Sequence, residues 1–284
     1  MINFMASVSA LYIYPVKSLG GISLNTVDLT DRGFRYDRRW LLVDENNQFL
    51  TQRQHTQMAL LQAAIIDDGI EVHKKNTPSD SIKFPFVTEN KQRENVTIWG
   101  DVCEGVEVSK EVSQWFTDAL AMNCRLMFMP DDSHRKIDPR YALHNNDITS
   151  FSDAYPVMLI AKESLDDLNE RLDEKLPMNR FRPNLVIEGF EPYEEDWIKH
   201  FSINGIDFFG VKLCSRCVLT TVNQQTGNKG KEPLKTLATY RSLNNNIYFG
   251  QNIIYKGTGT LTKGDKVTVI ERKDKPSFRI LSNN

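Results

Sequence analysis

Cys214-Ser215-Arg216-Cys217-Val218-Leu219-Thr220-Thr221-Val222 sets two cysteines around an arginine and follows them with an apolar, β-branched run. A C-x-x-C pair is a redox dithiol, half of a zinc site, or a thiolate presented to a ligand. A redox dithiol belongs at the start of a helix that follows a strand, whereas Val218 to Val222 reads as a strand. A zinc site needs a second Cys or His pair, but Cys103 and Cys124 are isolated and the five histidines are scattered. Two packed cysteines without chemistry are the bland alternative, because free Cys is commonly buried. Arg216 weighs against that, since a guanidinium beside a thiol stabilises thiolate and attracts anions.

Strand signals dominate on both sides of this stretch. Upstream they cover Ala10 to Val16, Trp40 to Val43, Phe49 to Thr51, Leu60 to Ile66, Ile70 to His73, Ile82 to Val87, Val96 to Trp99 and Arg125 to Met129. Asp44-Glu45-Asn46-Asn47 and Asp67-Asp68-Gly69 are the expected hairpin connections. Nearer the cysteines, Asn184 to Glu188, Phe201 to Ile203 and Asp207 to Val211 read as strands. Ile247 to Tyr255 and Lys266 to Ile270 follow as the last two. Helices are few. Val112, Trp115, Phe116, Ala119 and Leu120 recur at helical spacing after Lys110. Leu165, Leu168 and Leu172 form a second stripe, with Ser164 and Asp167 resembling a capping pair. Pro233 to Tyr240 reads as a short helix with Pro in its first turn. From Asp131 to Tyr155 the chain is polar and without period, as a functional loop or crossover would be. The expectation is a mainly β, α+β chain of barrel-like sheets with a few covering helices.

The chain has 284 residues, enough for two modest domains. Lys and Arg number 35 against 37 Asp and Glu, a net charge of −2, which argues against broad nucleic-acid or anionic-membrane binding. No apolar run is long enough to span a bilayer, and the N-terminal stretch does not read as a secretory signal. Four cysteines in this length do not make a disulfide framework, so a cytoplasmic protein with reduced thiols is expected.

Basic residues nonetheless cluster in separate motifs. Asn179-Arg180-Phe181-Arg182-Pro183-Asn184 places two arginines and two amides at a proline turn, which suits a phosphate or another planar anion. Read by itself, a solvated basic turn is the better account of it. Tyr14-Pro15-Val16-Lys17-Ser18 ends a strand beside glycines, and Arg38 lies between Asp37 and Trp40 in Asp37-Arg38-Arg39-Trp40.

Taken together these motifs run in one order along nearly the whole chain. They are joined by Thr51-Gln52-Arg53-Gln54, Thr226-Gly227, Lys231-Glu232-Pro233-Leu234, Tyr240-Arg241, Phe249-Gly250-Gln251-Asn252 and Gly264-Asp265. The set resembles the MOSC-domain proteins that carry a MOSC N-terminal β-barrel domain, the group of the amidoxime-reducing components and YcbX-like bacterial proteins. The resemblance implies two packed parts, an N-terminal β-rich domain over 1–125 and a MOSC β-barrel over 126–284, with the cofactor between them. It implies the molybdenum cofactor (Mo-molybdopterin), a chemistry independent of pyridoxal phosphate, with Cys217 as the metal ligand. Ser215 and Arg216 match positions that hold the pterin and its phosphate. Lys17, Ser18 and Arg38, with Arg182 and Asn184, match phosphate-binding positions. Asp153, in Ser152-Asp153-Ala154-Tyr155-Pro156, falls where the family has an acid near the open face of the metal, a candidate proton donor. Cys214 is expected to pack beside the site, and Cys103 and Cys124 to lie in cores.

The implied reaction is reductive removal of oxygen from small N-hydroxylated compounds: amidoximes, hydroxylamines and N-hydroxylated bases. No flavin or nicotinamide fingerprint is seen, and no cysteine follows Cys217, so a built-in ferredoxin domain is not expected. Electrons are then expected from a separate ferredoxin, flavodoxin or cytochrome b5-like protein. The alternatives are a MOSC sulfurtransferase carrying a persulfide on Cys217 and a carrier that holds the cofactor without turnover.

Overall fold

Strands take up 42% of the residues and helices 15%, which makes the chain an α+β fold dominated by its sheets. The structure is a computed structural model and describes residues 5–278. Its largest sheet runs in the order Ile22–Leu24, Ser7–Ile13, Leu185–Glu188, Val157–Ala161, Asn246–Lys256, Ile206–Ser215, Ile198–Ile203 and Val267–Arg272. A short ninth strand, Ser242–Leu243, pairs with Asn246–Lys256. Every pairing is antiparallel except Val157–Ala161 with Leu185–Glu188, and the helix Lys162–Glu170 lies in the crossover that a parallel pair requires. Val8, Leu11, Ile13, Leu159, Leu185, Ile187, Phe201 and Phe208 bury into one core on this sheet.

The second core belongs to the first half of the chain. Trp40–Val43, Arg125–Phe128, Asp101–Glu107 and Arg93–Ile98 form a four-stranded antiparallel sheet. Leu61–Ile66, Gly69–Lys74 and Thr77–Pro85 form a three-stranded meander. Helix Lys110–Leu120 presents Val112, Phe116 and Leu120, one face at i, i+4 and i+8, to Trp40, Leu61, Val72 and Leu126. Ser109 Oγ accepts from the Val112 N–H at its start, and Ala121 ends it in a left-handed conformation.

The two halves exchange elements. Ser7–Ile13 belongs to the large sheet through Leu185–Glu188, so the chain begins in the sheet of its second half. Arg125–Phe128, which straddles the sequence-based division at 125, hydrogen-bonds back to Trp40–Val43. Among the described residues no helix is long and apolar enough to cross a membrane.

Several sequence readings shift. Val218 to Val222 is not a strand: Val218–Thr221 is a 3-10 turn directly after Ile206–Ser215. Thr220 Oγ1 and Thr221 Oγ1 donate to the carbonyls of Cys217 and Val218, so local hydroxyl bonds override the β preference of the branched side chains. Helix Lys162–Glu170 starts before Ser164, whose hydroxyl bonds the buried Glu195 carboxylate and caps nothing. The first strand ends at Ile13, freeing Tyr14, Lys17 and Ser18 for the site, and only Phe49 of Phe49 to Thr51 pairs, with Val43. Val157–Ala161, just beyond the polar stretch Asp131 to Tyr155, and Asp101–Glu107 are strands that the sequence reading did not name.

Candidate functional site

The first strand delivers Lys17 and Ser18 to a cavity between the two halves. Beyond Ile13 the Lys17 N–H bonds the Trp40 carbonyl, and Ser18 turns with a left-handed backbone at φ 68°. Arg38 (φ 49°) and Arg182 (φ 54°) share that unusual conformation. Three non-glycine residues in this costly conformation surround one cavity, and such cost is tolerated at functional sites. Both arginines lie against the ring of buried Tyr14, with the Arg38 and Arg182 guanidinium carbons 4.4 Å and 4.1 Å from its centroid. Arg38 is held further by Asp37 (2.6 Å) and by the Asn184 side-chain oxygen (3.0 Å). Burial pushes the Arg182 guanidinium down to about 10, although Tyr14 opposes the shift.

From the other side the turn after Ile206–Ser215 delivers Ser215, Arg216 and Cys217. Arg180, under it, donates to the carbonyls of Thr220 and Glu232. The side chains of Gln52 and Gln224 bond each other across the two halves, and Gln52 also donates to the Ser18 carbonyl (2.6 Å). Arg216 spends its guanidinium on the carbonyls of Phe249 (2.7 Å) and Phe181 (3.0 Å) and on Met158 sulfur (2.7 Å). Gly250, beside it at φ 80°, admits no side chain: a Cβ there would lie 2.7 Å from the Leu159 carbonyl oxygen and 2.8 Å from Ile160 Cγ1.

All the residues singled out from sequence therefore line one cavity: Lys17, Ser18, Arg38, Asp153, Arg182, Asn184, Ser215, Arg216 and Cys217. Cys214 lines it too. Cys103 and Cys124 lie apart in the cores, where burial pushes both thiols up to about 11. All four cysteines are free.

Asp153 lies between two cations at the cavity. Its carboxylate faces the open cavity with 55% of the side chain exposed, yet Lys17 Nζ (2.6 Å) and Arg53 Nη2 (2.8 Å) grip its two oxygens. Desolvation pulls its pKa upward, and the two cations overcome that, holding the carboxyl well below the usual carboxylate range. At neutral pH it is a carboxylate, so it orients its neighbours and has no proton to give. Lys17, its partner, is buried. Burial pushes its ammonium down to about 8, only partly offset by Asp153. Arg135 steadies the loop beneath, donating to the carbonyls of Ser150, Ser152 and Asp153.

Sequence reasoning placed Arg53 in a shared motif without giving it a place in the site. Its Nε donates to Cys217 Sγ at 3.0 Å. An arginine in a turn carries no signal of what lies across a domain interface; only the motif Thr51-Gln52-Arg53-Gln54 hinted at it.

Comparison with known proteins agrees with the geometry. The MOSC N-terminal beta barrel domain matches residues 5–123 and the MOSC domain matches residues 146–268. Mitochondrial amidoxime-reducing component 1 of Mus musculus is 32% identical over 94% of this chain and 83% of its own length. Mitochondrial amidoxime reducing component 2 of Bos taurus is 32% identical over 93% of this chain and 83% of its own length. The molybdenum cofactor sulfurase of Oryza sativa subsp. japonica is 31% identical over 93% of this chain, which corresponds to 34% of that longer protein. With both of its domains matched in order and these relatives covered along most of the chain, the protein belongs to the MOSC family that carries the MOSC N-terminal β-barrel domain.

Proposed function

We propose that the chain is a molybdenum-cofactor-dependent oxidoreductase that removes oxygen from small N-hydroxylated compounds, with Cys217 as the protein ligand of the metal. One observation carries the reading: Cys217 and five cationic side chains, Lys17, Arg38, Arg53, Arg182 and Arg216, converge on a cavity whose one carboxylate is Asp153. That donor set fits the molybdenum cofactor. A pterin with a terminal phosphate is a large anion that needs cations from separate segments, and thiolate is the soft ligand suited to a metal already bound to sulfur. The enclosed volume, about 130 Å³, is below the ~300–1,000 Å³ usual for cofactor sites, so the group would extend into the open cleft. The names of the relatives, amidoxime-reducing components and a molybdenum cofactor sulfurase, support the same cofactor.

The residues that would hold the phosphate and pterin are Lys17, Ser18, Arg38, Arg182, Asn184 and Ser215, with Arg216 as part of the wall beside the pterin, and Cys217 would hold the metal. When bound, the cofactor supplies the two-electron redox chemistry that no side chain here offers. Asn184 and Asp37 keep the Arg38 fork turned to the cavity, while Arg216, spent on backbone carbonyls, shapes the wall. A proton for the departing oxygen is available at Lys17 Nζ, with Asp153 as the adjoining acceptor that steers it. Electrons arrive from a separate carrier, a ferredoxin, flavodoxin or cytochrome b5-like protein.

The test is molybdenum and phosphorus content of protein from a host that makes the cofactor, followed by turnover of an amidoxime with reduced viologen. Stoichiometric metal with turnover is expected. Protein without molybdenum but with a persulfide on Cys217 would make it a sulfurtransferase, and metal without turnover would make it a carrier.

A further inference from the structure

Arg53 makes four contacts with one planar group. Nε donates to Cys217 Sγ (3.0 Å), Nη2 to Asp153 Oδ2 (2.8 Å) and Nη1 to Thr51 Oγ1 (3.1 Å). One face of the guanidinium lies against Trp99, 4.7 Å from the ring centroid. Trp99 sits at the tip of the hairpin between Arg93–Ile98 and Asp101–Glu107, with a left-handed backbone at φ 56° and its ring against the edge of Phe49. The backbone of Arg53 is fixed as well. It lies in a tight turn in which Gln54 and His55 both donate to the Thr51 carbonyl, and Lys229 Nζ donates to its own carbonyl. The Nε–H therefore cannot rotate off the sulfur without breaking the Asp153 pair and leaving the tryptophan.

We infer that Arg53 is a positioning residue for the metal ligand: from the N-terminal half it aims the Cys217 sulfur, ties it to Asp153, and draws electron density from it. The inference rests on the reading that Cys217 binds the metal. Partners that hydrogen-bond a ligating group fix its direction and tune the metal, and donors to a ligating sulfur raise the reduction potential. Lysine could not do the same. An ammonium is a point charge that reaches the sulfur or the carboxylate, whereas the guanidinium fork meets both in one plane and stacks on an aromatic face.

The experiment compares holoenzyme of the wild type, Arg53→Lys, Arg53→Gln and Cys217→Ser for molybdenum content, the EPR spectrum of the metal, its midpoint potential, kcat and KM. Arg53→Lys is expected to keep the fold and most of its molybdenum. It should show a lower potential, a changed EPR spectrum and a kcat reduced about 10-fold or more, while KM moves by no more than about 3-fold. Arg53→Gln, without the charge, should shift the potential in the same direction. A potential and EPR spectrum in Arg53→Lys identical to wild type, with any lost activity matching lost metal, would overturn the proposal. Full molybdenum and turnover in Cys217→Ser would instead overturn the ligand assignment beneath it, so the two failures are distinct.

Discussion

Lys17 Nζ stands 2.6 Å from Asp153 Oδ1 and 2.8 Å from the Phe151 carbonyl oxygen, an ammonium withdrawn almost wholly from solvent. Burial lowers its pKa from 10.5 to about 8. Between those two values the unfolded chain binds more protons than the folded one. Through this group folding stability therefore rises with pH in that window, and is flat below it. The cost of the buried charge is fully present at neutral pH. Lys17→Met should remove the slope. The urea midpoint of the cofactor-free wild type, relative to that of the variant, should climb from about pH 7.5 to about pH 9.5. Parallel curves across that range would mean that Lys17 does not titrate there.

The same ammonium bears on anion binding. A neutral Lys17 is a poor phosphate ligand, and a bound phosphate draws a proton onto it. Calorimetric titration of cofactor-free protein with pyrophosphate near pH 8 should show proton uptake, read from the dependence of the heat on buffer ionisation. Lys17→Arg, charged throughout, should bind without that uptake.

The four cysteines should separate sharply. Cys217→Ser replaces a soft ligand with a hard one, and is expected to abolish molybdenum retention and turnover with the fold unchanged by circular dichroism. Cys214, whose sulfur makes a long contact with the Ser215 carbonyl (3.9 Å), should tolerate serine with activity within about 3-fold of wild type. Equal losses in both variants would point to a dithiol mechanism. Cys103→Ala and Cys124→Ala should leave turnover intact and lower stability by about 1–2 kcal/mol each, the cost of small cavities in buried cores.

What was readable in the sequence follows a physical division. Strands built on apolar runs announce themselves, and Trp40–Val43, Leu61–Ile66 and Arg125–Phe128 lie where those runs placed them. The helix Lys110–Leu120 was equally plain from its spacing. Val218–Thr221 misled because threonine serves a strand by its branching and a turn by its hydroxyl; tertiary supports such as Arg180 decide between them. The residues of the cavity came from matching motifs, since nothing in Lys17 or Arg182 alone says that 165 residues of chain close a cavity between them. The state of Asp153 was unreadable for the same reason. Its charge depends on Lys17 and Arg53, both far away in the chain.

Electron supply gives another prediction. Purified holoenzyme with NADPH or NADH alone should not reduce an amidoxime, whereas reduced viologen should drive turnover. With an acidic protein carrier as donor, the rate should fall as salt rises from about 50 to about 300 mM, because screening shortens the reach of the surface charges. Sustained NAD(P)H-driven turnover by the isolated chain would require an electron-entry site within it and would rule out the separate carrier.

Cutting the chain at 125 tests how far the two halves depend on each other. A fragment of residues 126–284 keeps the cysteine turn but loses Ser7–Ile13, which lies inside the large sheet between Ile22–Leu24 and Leu185–Glu188. Val8, Leu11 and Ile13 vanish from its core, each at most 1% exposed in the whole protein. Truncating one such side chain to alanine costs about 2–5 kcal/mol, and domains are stable by only about 5–15. The bared Leu185–Glu188 edge would also offer unpaired backbone groups to other chains. The fragment is therefore expected to aggregate or to remain unfolded by circular dichroism and size-exclusion chromatography. Extending it with residues 5–24 through a flexible linker should restore part of the fold, because it returns both missing strands. A soluble, cooperatively unfolding 126–284 fragment would show that the first strand is dispensable to the sheet. Cofactor retained by such a fragment would further show that Lys17, Ser18 and Arg38 are not needed to hold it.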